Sequence, residues 1–173
     1  MGVLPPIRRV VTGHDDAGRA NIDIDATLSP IILPMPKHME REGDCSAPGF
    51  TVLWRTDSSP AKNQGPWVDY HGKPLPIASS TGTTVRIVDF SPGFTAPFHR
   101  TISLDIGVVL VGEVVLELDD GVETTVRQGE TIIQRGTIHS WHNRAETPAR
   151  VLFVLLPSEK LQFDGQTLEE VLH

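Results

Sequence analysis

His99, Asp105 and His139 are the residues whose types and spacing best suit this chain for chemistry. Two imidazoles and one carboxylate can divide acid and base duties near neutral pH, because imidazole titrates there and burial or a paired charge moves each pKa. They stand in two half-motifs, Gly93-x5-His99-x-Thr101-x3-Asp105-x6-Gly112 and Gly129-x4-Gln134-x-Gly136-x2-His139-x3-Asn143. Side chains alternate faces along an extended strand, so His99, Thr101, Ser103 and Asp105 share one parity and look into one interior. His139 and Trp141 share a parity on a second strand. Thr101, Ser103 and Trp141 are therefore candidate substrate contacts, and His71 is the outsider that an irregular segment can bring to the same place. Arg100 has the opposite parity and reads as an outward or edge charge. His14, His38, His142 and His173 have no spacing argument and read as surface or structural residues; Asn143 reads as a turn-former.

The elements that must hold these groups are short strands. Residues 8–12 and 20–25 read as β segments around the turn Gly13-His14-Asp15-Asp16-Ala17-Gly18, and 50–56 as a further strand. From Pro30 to Pro48 four prolines and no sustained period predict an extended arm or cover. Thr84–Phe90 is a strand, Ile106–Val111 is continuously apolar as in a strand covered on both faces, and Glu113–Leu118 alternates. Asp120-Gly121 is a hairpin signal, with 122–127 returning antiparallel. Segments 131–134, 138–142 and 149–156 complete the series. Strands at roughly ten-residue spacing with turns between them predict an all-β sandwich or barrel. The capping-box pattern Thr167-Leu168-Glu169-Glu170, with Leu168, Val171 and Leu172 on one face, predicts a short C-terminal helix.

With 173 residues the chain fits a single domain with a core of its own. We divide it into 1–78 (N-terminal strands, arm and loops), 79–157 (the barrel core with both half-motifs) and 158–173 (a helical tail). A formal charge of −7 without clustered Lys or Arg argues against nucleic-acid partners. No run approaches the roughly 20 apolar residues of a membrane span. The single cysteine, Cys45, has no internal disulfide partner, and the reading is of a cytoplasmic protein with a small-molecule substrate.

The two half-motifs resemble the paired signatures of the cupin family. The further string His99-Arg100-Thr101-x-Ser103-x-Asp105, Gly107-Val-Val-Leu-x-Gly112-Glu113 and Gln134-Arg135-Gly136-Thr137-x-His139-x-Trp141-x-Asn143 is similar to a subgroup of small single-domain cupins found in bacteria and in fungal secondary-metabolite clusters. The resemblance implies an all-β cupin jelly-roll barrel with an irregular N-terminal arm, and a homodimer joined through N-terminal strands. It also implies a divalent metal (Fe, Mn, Ni or Zn) on His99, Asp105 and His139, which map onto three of the usual four ligands. Thr101 stands where a further histidine is usual and Asp105 where a glutamate is usual, so a metal-free site is an equal expectation.

These observations point to an acid/base lyase or isomerase of secondary, polyketide-like metabolism, carrying out dehydration, decarboxylation or isomerisation inside the barrel. The alternatives are a mononuclear metal-dependent oxygenase or metal-assisted lyase using the same trio, and a ligand-binding cupin without turnover.

Overall fold

The structure is a computed structural model, which describes residues 4–32 and 47–172. The elements run β1 (Ile7–His14), β2 (Ala20–Leu28), β3 (Ile31–Ile32), β4 (Gly49–Arg55), β5 (Thr84–Phe90), β6 (His99–Arg100) and β7 (Ser103–Val111). They continue as β8 (Glu113–Glu117), β9 (Glu123–Arg127), β10 (Thr131–Arg135), β11 (Ser140–His142), β12 (Ala149–Pro157), β13 (Gln162–Phe163), β14 (Gln166–Thr167) and β15 (Val171–Leu172). Among the described residues no helix is long and apolar enough to cross a membrane.

Six strands form one antiparallel sheet in the order β10-β7-β12-β5-β4-β3, and three form another in the order β11-β8-β9. The core lies between them: Val88, Phe90, Val109, Val151, Phe153 and Leu155 of the larger sheet pack with Val114, Leu116, Val126 and Trp141 of the smaller. Their alternation along each strand is what places one row inward, and burying that row drives the two sheets together. Pairing of strands far apart in sequence, β5 with β12 and β8 with β11, gives the jelly-roll wrap expected from the strand spacing.

β1 and β2 form a separate hairpin, and Asp15 organises its turn by accepting hydrogen bonds from the backbone N–H of Ala17 and Arg19 at 2.9 and 3.0 Å. The β8–β9 connection is longer than two residues: Leu118 N–H donates to Val122 O at 2.8 Å across a single helical turn, with Asp120 and Gly121 both at positive φ. The expected arm begins with β3, which pairs Ile31 with Phe50 at the edge of the larger sheet. Residues 33–46 of it, with His38 and Cys45, lie outside the described residues, as does His173.

The C-terminal tail corrects the expectation of a helix. β13 and β14 form a small hairpin whose turn residues Asp164 and Gly165 have φ of 49° and 78°, and β15 then pairs with β6, Val171 opposite Arg100. One capping box followed by a few residues does not offset the cost of helix nucleation. The Asp-Gly pair between Phe163 and Gln166 is a hairpin signal of its own, and the edge of β6 offers unpaired backbone groups to the last strand.

Candidate active site

Strand parity on β5 directs Thr84, Arg86, Val88 and Phe90 toward one side of the larger sheet, and β12 adds Phe153 and Leu155. With Phe50, Phe94 and Trp141 these residues enclose a cavity of about 630 Å³, well inside the size range of small-molecule sites. Its polar groups come from several strands: Arg86, His99, Thr101, Asp105, Gln134 and His139, with His71 also among the lining residues. The trio His99, Asp105 and His139 therefore opens onto one chamber, together with the expected contacts Thr101, Trp141 and His71.

His99 and His139 face each other across a narrow antiparallel bridge. Each backbone N–H donates to the other's carbonyl, at 2.9 and 3.0 Å. Their ring centroids are 4.2 Å apart with the planes tilted by 58°. Nδ1 of His99 lies 3.0 Å from Pro97 O, and Nδ1 of His139 lies 2.9 Å from Thr137 O. A carbonyl only accepts, so both Nδ1 atoms carry the hydrogen and both neutral rings keep their lone pair on Nε2. Burial pushes the pKa of His99 down; burial, then the neighbouring His99, pushes His139 down to about 3. The two rings are held as free bases.

Asp105 is moved the other way. Burial raises its pKa, and this outweighs the opposing influence of the nearby Ser103 hydroxyl, the attraction of Arg86 and the Thr101 hydroxyl. A relay of hydroxyls approaches it from below: Ser103 Oγ donates to Thr101 Oγ1 at 2.8 Å, and Thr101 Oγ1 donates to Asp105 Oδ2 at 3.4 Å. Oδ1 is buried without a partner among the described residues. Ser103 itself does not line the cavity, which corrects its expected contact with substrate. Parity brings it to the interior, but it is 1% exposed, sealed behind Thr101, and acts by fixing that hydroxyl.

Of the polar lining residues not anticipated as site residues, which include Lys73 and Thr84, Gln134 and Arg86 carry buried nitrogens without a partner among the described residues. Gln134 on β10 sits directly opposite Asp105 on β7, and its buried Nε2 has no partner among the described residues. Arg86 lies between Val52 and Phe153 in the middle of the larger sheet, with its Nε buried and unpartnered. The signal for Arg86 was a charged residue sharing parity with Val88 and Phe90 in an apolar strand. His71 is placed by Asp69, whose Oδ1 accepts the His71 backbone N–H at 3.0 Å while its carboxylate pairs with Arg9 of β1. That Arg9 contact, chiefly, holds the Asp69 carboxyl at a pKa of about 2.

The donor set fits a divalent metal only in part. Both imidazoles present Nε2 in the manner of metal-ligating histidines whose other nitrogen is fixed by a carbonyl. Among the described residues, however, His99, Asp105 and His139 do not converge as a three-ligand group. The group whose ligand atoms lie within 4.8 Å of one another is Glu117, Glu123 and His142. That group is held by pairing: His142 Nε2 is 2.7 Å from Glu117 Oε2, and Glu123 is bound by Arg144. His142 is thus structural, as expected. So is Asn143, fully buried, whose Nδ2 donates to Phe90 O and Thr147 O at 2.9 Å each, closing a turn.

A family model described as a cupin domain matches residues 86–155. The phomopsin biosynthesis cluster protein C′ of Diaporthe leptostromiformis is 36% identical over 166 residues, covering 92% of this chain and 83% of that protein. A cupin-domain-containing oxidoreductase of Aspergillus ruber is 30% identical over 174 residues, covering 98% of this chain and 81% of its own. Among solved structures, an uncharacterized conserved protein with a double-stranded β-helix domain from Klebsiella pneumoniae aligns with a TM-score of 0.48 at 17% identity, over 70% of this chain and 85% of that one.

Proposed function

This chain belongs to the cupin family, and on that premise we propose that it is a small-molecule enzyme of secondary metabolism, an acid/base lyase or isomerase working inside the barrel. The observation that carries the reading is the pair of neutral imidazoles, each with Nδ1 tied to a carbonyl and Nε2 free, on the wall of a largely apolar cavity. Either Nε2 is suited to take a proton from carbon, breaking a C–H bond and leaving its electron pair on the substrate. The Asp105 carboxyl, favoured in its protonated form by burial, supplies a proton to a departing hydroxyl, which leaves as water, or to the far carbon in an isomerisation. No external oxidant or reductant is needed for either outcome. The name of one relative, a biosynthesis-cluster protein, supports the setting in secondary metabolism, while that of another, a cupin-domain-containing oxidoreductase, favours the second reading below.

The second reading, a metal-dependent oxygenase or metal-assisted lyase, is favoured by the anchored Nδ1 atoms, which orient both rings as ligands. It requires Asp105 to close on the imidazoles, and we derive no step through a metal. One experiment separates the readings. Purified protein is assayed for metal by elemental analysis, and for exchange of the α-hydrogen of aryl β-hydroxyketones in D2O with and without chelator. The acid/base reading expects exchange that survives chelation and is lost in His139→Gln. Stoichiometric metal whose removal abolishes exchange would sink it.

A further inference from the structure

Two cations line the cavity, and among the described residues neither forms an ion pair; Lys73 is exposed, whereas Arg86 stands on the inner wall. Arg86 projects from the centre of the six-stranded sheet, flanked by Val52 on β4 and Phe153 on β12. Its guanidinium carbon stands 5.9 Å from the Phe50 ring. Among the described residues it forms no ion pair. Asp105 attracts it only at a distance, and its Nε has no hydrogen-bond partner. Even with burial its pKa falls only to about 10, so it is charged at neutral pH. Elsewhere this chain pairs its buried arginines: Arg150 grips Asp89 and Arg9 grips Asp69. Leaving a cation without a partner in an apolar wall opposes folding. The same placement suits a site that receives its anion from outside, because a planar guanidinium fork matches a carboxylate with two parallel hydrogen bonds.

We propose that Arg86 anchors a carboxylate of the substrate, so that the cavity selects small, largely apolar carboxylic acids. The buried and unpartnered Gln134 amide supplies a further donor on the same lining, and the aromatic rings of Phe50, Phe94, Trp141 and Phe153 accommodate the apolar body. This deepens the acid/base reading and rests on it for the cavity being the reaction chamber.

The test is binding without turnover, using cinnamate and 3-phenylpropionate against their primary amides, read by tryptophan fluorescence and calorimetry. Wild-type protein is expected to bind the acids roughly 10- to 100-fold more tightly than the amides. Arg86→Met is expected to abolish that preference and Arg86→Lys to keep part of it, with thermal melts confirming that each variant is folded. If Arg86→Met does not fold, the acid-to-amide ratio of the wild type and of Arg86→Lys still decides. Equal binding of acids and amides, failure of both acids to bind at millimolar concentration, or an undiminished preference in Arg86→Met overturns the proposal. His139→Gln separates it from the acid/base reading. Loss of proton exchange with the acid preference intact supports both, whereas full exchange in both His139→Gln and His99→Gln with the preference intact rejects the bases and leaves the anchor standing.

Discussion

His99 and His139 exchange both backbone hydrogen bonds, at 2.9 and 3.0 Å, and hold their rings 4.2 Å apart with each Nδ1 bound to a carbonyl two residues earlier. The bridge that fixes the backbones also fixes the rings, so neither imidazole can turn without breaking a contact. Burial is the main reason both rings resist taking up protons, and for His139 a positive charge on the neighbouring His99 adds to it.

Replacing either histidine therefore removes a base without removing the fold. His139→Gln and His99→Gln are each expected to lower turnover of a substrate by about 10²- to 10⁴-fold. Steady-state kinetics on both variants checks this, with circular dichroism as the control for folding. Full activity in both variants would exclude the pair as catalytic bases.

The same pair makes stability depend on pH. The folded-state pKa of His139 is depressed from 6.5 to about 3, so as pH falls through 6.5 the unfolded chain gains a proton that the folded chain refuses. Its contribution is present above the unfolded pKa and is lost on acidification, amounting to about 2 kcal/mol between pH 8 and pH 5. Asp105 acts in the opposite sense: its folded pKa is raised, so its contribution is complete below 3.8 and is lost as pH rises through the folded value. Denaturant melts across pH should show a shallower acid limb in His139→Gln than in the wild type. An identical acid limb in the two proteins would rule out the neutral buried imidazole. The acid limb of kcat/KM should likewise lie below 6.5.

Beyond the cavity, Arg150 and Asp89 lie opposite each other on β12 and β5 and form a bidentate pair with both contacts at 2.6 Å. Arg150 also donates to Pro5 O at 2.9 Å, tying the N-terminal segment to the barrel. Arg150→Met leaves the Asp89 carboxylate, 16% exposed, without its cation, and is expected to cost about 3 kcal/mol. The double variant Arg150→Met/Asp89→Leu should recover most of that loss. Chemical denaturation of the two single variants and the double variant measures the coupling; simple additivity would show that the pair contributes nothing specific.

What the sequence by itself determined is local. Period-two alternation, apolar runs and turn residues located the strands from Thr84 to Leu156, and parity along the chain predicted that His99, Thr101 and Asp105, and His139 with Trp141, share an interior, although a break between β6 and β7 separates His99 from Asp105 and His139 precedes β11. These features depend on backbone geometry over a few residues, which is why they are legible without the fold. The tertiary structure decided which strands meet. Register between β7 and β10 set Gln134 against Asp105, and register of β5 between β4 and β12 brought Arg86 onto the same cavity wall. Burial behind Thr101 withdrew Ser103 from the cavity. The open edge of β6 drew the last residues into a strand where their own pattern suggested a helix. Long-range pairing is set by burial across the whole core, so no window of sequence contains it, and with it came the burial that holds two imidazoles neutral and leaves Arg86 facing an apolar chamber.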